Sequence, residues 1–158
     1  MRFLSLLLLF CFSLVTCRAQ DPPYAVARVN GPVQFDGRLE EAAWPAAEEI
    51  NDFMQEDPYA GTYPTEQTSA RMLYDNENLY IGVRAFDHDP SKLIRLGQER
   101  DYNINNEDGV AFVLDTYNDK SSGLVFVANT LGARWDEEFT GDGGNANSNY
   151  NTRSEEHT

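Results

Sequence analysis

Two kinds of side chain in this sequence have the types and spacing to do chemistry. Carboxylates cluster at Asp87-His88-Asp89 and at Glu107-Asp108. Hard cations such as calcium take clustered carboxylate and carbonyl oxygens in loops, so Asp87, Asp89 and Asp108 form a candidate metal set. The same spacing also serves turns, because an Asp before Pro90 bonds the nearby backbone N–H groups. The second kind is an aromatic and basic set on residues 79–86. Tyr80, Gly82, Arg84 and Phe86 share one face of a strand, with Arg100, Tyr102 and Trp135 as candidate neighbours. A ring for the apolar side of a pyranose beside a planar donor suits sugar recognition. Tyr80, Arg84, Arg100 and Trp135 are therefore the candidate carbohydrate-binding residues, with Gly82 expected to open a shallow concavity. The alternative is that Tyr80 and Phe86 pack beneath loops and Arg84 pairs with a surface acid.

Other chemistries find little support. The histidine outside the last residues, His88, has no Ser or Cys constellation around it, so a nucleophilic triad is not expected. Gly141 to Gly144 opens no helix and does not read as a phosphate loop. Glycoside hydrolysis needs two carboxylates across a cleft, and with 26 acidic residues the sequence singles out no pair. No catalytic residue is assigned.

The elements that position these residues read as β-strands. Residues 68–74 and 79–86 alternate apolar and polar on both sides of Asp75-Asn76-Glu77-Asn78, which is an antiparallel hairpin. Burial of Leu79, Ile81 and Val83 is expected, with Tyr80, Gly82 and Arg84 turned the other way. Further strands are predicted at 24–29, 33–35, 50–54, 109–116, 124–129 and 133–139. A short helix is expected at 39–43, limited by Pro45, with Trp44 as an apolar plug. Tyr59 and Tyr63 lie in the polar loop 55–64, where their rings are free to meet a ligand.

Three motifs in order, VQFDGRLEEAAW (33–44), the hairpin (68–90) and EDGVAFVLDTYND (107–119), resemble carbohydrate-binding module family 9. The variant they most resemble opens large bacterial envelope proteins with a β-rich C-terminal region. The resemblance covers about residues 29–142 and implies an all-β, antiparallel β-sandwich, incomplete at its C-terminal end. It implies a non-catalytic carbohydrate-binding-like module, and it raises calcium as a cofactor. Alternatives are a structural or interaction module packing on an outer-membrane β-region, and an accessory domain of a glycoside hydrolase. In the resembling sugar binders one strand carries a glutamate and the next an arginine; here those places hold Ala111 and Val127. Apolar side chains neither donate to nor accept from a hydroxyl, so the family's sugar contacts are expected to be lost.

The ends set the context. Arg2 followed by the apolar run 3–15 reads as an export signal over residues 1–19, cleaved after Ala19. Leu14-Val15-Thr16-Cys17 is a competing, imperfect lipoprotein signal. Residues 20–28 are a lead-in. Residues 143–158 read as a polar tail, with 153–158 resembling a translated sequencing adapter, so the native protein is expected to continue. Both cysteines, Cys11 and Cys17, fall in the signal, which leaves no disulfide to hold the domain. Removing the signal leaves 10 basic against 26 acidic side chains. That charge argues against nucleic acid and anionic lipid as partners. The expected location is exported: periplasm, outer membrane or extracellular. The expected partners are carbohydrate or the protein's own C-terminal β-region, with the outer membrane reached through that continuation.

Overall fold

The computed structural model describes residues 24–101, 106–141 and 143–150. The expected export signal at 1–19, Tyr102 and the segment 151–158 lie outside the described residues. Among the described residues seven strands form two sheets. Sheet A contains β1 (Ala27–Arg28), β2 (Thr68–Tyr74) and β3 (Leu79–Ala85) in that order. Sheet B is the meander β4 (Gly109–Leu114), β5 (Gly123–Asn129), β6 (Arg134–Thr140) and β7 (Asn145–Asn147). Two single-turn 3₁₀ helices, η1 (Trp44–Ala46) and η2 (Pro90–Lys92), complete the elements. The protein is all-β in two sheets. Among the described residues no helix is long and apolar enough to cross a membrane.

The β2–β3 hairpin has the register its sequence implies, from Thr68 opposite Ala85 to Tyr74 opposite Leu79. Its turn is built by Asp75, whose Oδ1 accepts the N–H groups of Glu77 and Asn78 at 2.7 Å each. The expected faces, however, are exchanged. Tyr80 and Gly82 are buried, Ile81 and Val83 only half-buried, and Leu79 is 43% exposed. The reason is the covering segment 33–47. Trp44, Ala47, Val29, Leu73 and Tyr80 form the buried cluster, with Val33, Leu39 and Ala43 packed against it.

Gly82 lines a shallow recess beside Arg84, as expected, but the space directly over it is filled. A Cβ built there would lie 2.6 Å from Leu39 Cδ2 and 2.9 Å from Trp44 Cζ3, so the bare backbone is what seats those two side chains. The Trp44 indole accordingly plugs the sheet, as expected of it, and is only 4% exposed.

Several expected elements shift. The first strand shrinks to β1, and it pairs parallel to β2, so the architecture is not antiparallel throughout. The long connection between them allows the chain to return in the same direction. Residues 33–35 form no strand, and 50–54 contribute only the bridge Ile50–Ala70. The helix expected at 39–43 falls instead at Trp44–Ala46 with Pro45 inside it, because a first helical turn has no use for the proline's missing N–H. The strands predicted at 109–116, 124–129 and 133–139 correspond to β4, β5 and β6. Within the expected tail, Asn145–Asn147 pairs with β6 and adds β7 to the sheet.

Sheet B is held at its tight turn by Asn129. The amide Oδ1 accepts from Leu131 N at 2.9 Å and Ala133 N at 2.8 Å, and Nδ2 donates to Gly97 O at 2.8 Å. Gly132, at φ 81°, supplies the left-handed residue that this turn needs. Phe112 and Phe126 stack face to face, 5.2 Å apart, across β4 and β5.

Candidate functional site

The chain between η1 and β2 builds a groove against one face of sheet A. Arg71, on β2, anchors the covering segment. Its Nη1 donates to the carbonyls of Trp44 at 3.1 Å and Ala47 at 2.8 Å, and its Nη2 pairs with Glu49 at 3.3 Å. Trp44 Nε1 donates to Glu41 Oε2 at 2.9 Å, while Glu41 Oε1 accepts from Gln34 N at 2.8 Å. These bonds, that from Gln34 above all, hold the Glu41 carboxyl below its ordinary range.

Beyond Gly82 the same face of β3 continues to Arg84, opposite Ser69, and then to Phe86, whose N–H donates to Gln67 O at 2.8 Å. The loop 55–62 closes on itself through Gln55 N to Thr62 O at 2.9 Å and Gly61 N to Gln55 O at 2.8 Å. Tyr63 follows it directly.

The result is a groove of about 370 Å³ with Phe53, Tyr63 and Phe86 as rings and Glu49, Asn51, Gln67 and Arg84 as polar lining. The rings are 41%, 80% and 56% exposed respectively, so their faces are open to a ligand. A recess of about 160 Å³ adjoins it, bounded by Trp44, Ser69, Gly82, the Glu49–Arg71 pair and again Arg84. Glu49 is neutralised by Arg71, whereas Arg84 has no acidic partner among the described residues. Chemically, the groove offers apolar ring faces, planar amides and one uncompensated cation.

The candidates from sequence do not converge. Tyr80 is buried, stacks obliquely on Phe35 at 6.0 Å, and donates its hydroxyl to Asp75 Oδ2 at 2.8 Å, so it is a core residue. That bond raises the Tyr80 hydroxyl above its ordinary pKa, with burial adding to it. Only Arg84 reaches the groove. Arg100 lies in the connection before β4 and forms an ion pair with the buried Asp136 of β6. Trp135 sits on β6 in one cross-strand row with Ala111 and Val127, on the opposite side of that strand from Asp136. Ala111, Val127 and Trp135 thus form an apolar strip.

The acidic set also disperses into local roles. Asp87 Oδ1 accepts from Asp89 N at 2.6 Å, Asp89 accepts from the Ser91 hydroxyl and pairs with Lys92 at 3.1 Å, and Asp108 Oδ2 accepts from Ile94 N at 2.6 Å. The Ser91 bond, then Lys92, pulls the Asp89 carboxyl below its ordinary value. Among the described residues no three His, Cys, Asp or Glu side chains gather closely enough to share a cation. His88 Nδ1 lies 2.5 Å from Glu66 Oε2, at the surface.

The groove residues missed from sequence are Phe53, Glu49, Asn51 and Gln67. One signal was present: Phe53-Met54 is an apolar pair inside a polar stretch, and both stay exposed. Compared with protein-family models, with curated proteins and with solved structures, the chain matches none.

Proposed function

We propose that this chain is an exported, non-catalytic carbohydrate-binding module of a bacterial envelope protein, built on a family 9-like β-sandwich plan. Its sugar site is the Phe53–Tyr63–Phe86 groove rather than the face the resembling modules use. The observation that carries this reading is the set of three exposed rings around an arginine and planar amides. Rings stack on the apolar faces of pyranoses, and the amides and guanidinium meet their hydroxyls. The apolar N-terminal run behind Arg2 supports export.

Isothermal titration calorimetry of the full chain against xylo-, cello- and chito-oligosaccharides tests the proposal. Binding of one of these at about 0.1–1 mM, near −5.5 to −4.1 kcal/mol, is expected. Tyr63→Ala and Phe86→Ala should each weaken it by about 0.5–1.5 kcal/mol. Absence of binding at millimolar sugar, or indifference to both substitutions, refutes it.

A second reading, docking on the protein's own β-rich continuation, draws on the strip Ala111, Val127 and Trp135 with Val113 beside it, 57% exposed. Val113→Asp would abolish that association while leaving sugar binding intact.

A further inference from the structure

We propose that the groove selects a mostly neutral glycan carrying isolated carboxylates, that is, single uronic acid residues on an uncharged saccharide. The inference rests on the saccharide reading of the groove and names the ligand class within it. Three observations lead to it.

First, the charged groups that line the site, one acid and two bases, are already divided. Glu49 is paired with Arg71, which in turn is fixed by two backbone carbonyls. Arg84 is the one groove cation left without an acidic partner among the described residues. A guanidinium presents a rigid planar fork that matches a carboxylate in two parallel hydrogen bonds.

Second, Arg84 lines both the aromatic groove and the recess beside Trp44 and Ser69. The recess, about 160 Å³, is several times the roughly 30 Å³ that one water occupies in the liquid. A carboxylate there would sit at Arg84 while the neutral sugar carrying it lies against Tyr63 and Phe86.

Third, the chain as a whole carries a formal charge of −14. That field repels a long polyanion, whereas it acts little on one carboxylate already in contact with Arg84, since screening at physiological salt confines it to about 8 Å. Local attraction with global repulsion favours sparse over dense acidic groups.

The test compares xylotriose with xylotriose bearing one glucuronic acid branch, by calorimetry on the full chain, alongside polygalacturonate. The branched sugar should bind about tenfold more tightly than xylotriose. Polygalacturonate should bind no better than xylotriose per binding site. Arg84→Gln should bring the branched-to-neutral ratio to about one, and Arg84→Lys should retain part of it, because a point charge survives without the fork. Raising sodium chloride from 50 to 500 mM should shrink the ratio in the unmodified chain. A ratio near one in that chain, a ratio untouched by Arg84→Gln, or tight polygalacturonate binding overturns the selectivity. In each of those cases xylotriose binding lost with Tyr63→Ala leaves the saccharide reading standing. Binding of none of the sugars removes both.

Discussion

The replacement Gly82→Ala tests how the site's floor is built. In an open strand, glycine is about 0.5–1 kcal/mol less stable than alanine, because it loses more backbone freedom on folding. An empty concavity over Gly82 would therefore make the substitution stabilising. Instead the new methyl would meet Leu39 Cδ2 at 2.6 Å, Trp44 Cζ3 at 2.9 Å and Leu39 Cδ1 at 3.0 Å. Carbon atoms prefer about 3.5–4.0 Å. Leu39 is half-buried and can swing aside, but the Trp44 ring is 4% exposed and tied to Glu41. Overpacking of this kind costs about 1–3 kcal/mol. Set against the backbone gain, the net expectation is a destabilisation of about 1 kcal/mol, seen as a lower urea midpoint at unchanged slope. In a Leu39→Ala background two of the three close atoms are gone, so Gly82→Ala should cost less there by roughly 1 kcal/mol. A stabilised Gly82→Ala, or the same cost in both backgrounds, would show that the segment 33–47 does not lie on the sheet.

Four further outcomes follow from other contacts of the fold. Arg71→Met strands two carbonyls and Glu49, and should lower stability by about 2 kcal/mol in urea unfolding. Asn129→Ala removes three hydrogen bonds from a side chain that is 3% exposed, and should cost about 1–3 kcal/mol, read as a fall of several degrees in Tm. Asp75 is held at about 2, chiefly by the N–H of Glu77 and then by the Tyr80 hydroxyl, and Asp119 at about 2, chiefly by the Ser122 hydroxyl. Their folded values lie below the ordinary 3.8, so they stabilise the fold above that pH and stop doing so as pH falls towards 2. The urea midpoint should decline over that window, and Asp75→Asn should flatten the decline. At the alkaline end the Tyr80 hydroxyl is raised, so its neutral form stabilises the fold below about 10, and that stabilisation is lost at higher pH.

The hairpin register was legible because strong turn residues sit between two alternating runs, and a period of two leaves no freedom once the turn is placed. The faces were not legible for a related reason. Both sides of the hairpin carry apolar residues, Leu73 with Tyr80 on one and Met72 with Ile81 and Val83 on the other. Which side goes under is decided by segment 33–47, which has neither helical nor strand periodicity of its own. Strand β7 was hidden by composition: its three residues are all exposed, and pairing with β6 asks only for backbone groups. At the site, the kinds of residue were readable and their meeting was not. Glu49 and Tyr63 lie 14 residues apart in the connection before β2 and Arg84 lies on β3, and only the long return of the chain from β1 to β2 joins them. Trp135 belongs to the other sheet and Arg100 to the loop that pairs with it, and both were grouped with Arg84 by chemistry alone.

The parallel pairing of β1 with β2 also dictates an order of events as the chain folds. In sheet B each strand meets the next in sequence, Leu114 opposite Leu124, and the β2–β3 hairpin closes over four residues. By contrast Ala27 must find Leu73, 46 residues on. Closing the longer loop costs about 1.4 kcal/mol more than the Leu114–Leu124 closure, and nothing local offsets that before Trp44 is seated. Local hairpins should therefore form early, with β1 and the Trp44 segment docking last. Pulsed hydrogen exchange would show this as protection of Phe126 N–H ahead of Val29 N–H; simultaneous protection would rule it out. Since Glu49 and Asn51 arrive with that last segment, the groove exists only once the chain has finished folding, and a nascent or partly folded molecule would lack the proposed binding surface.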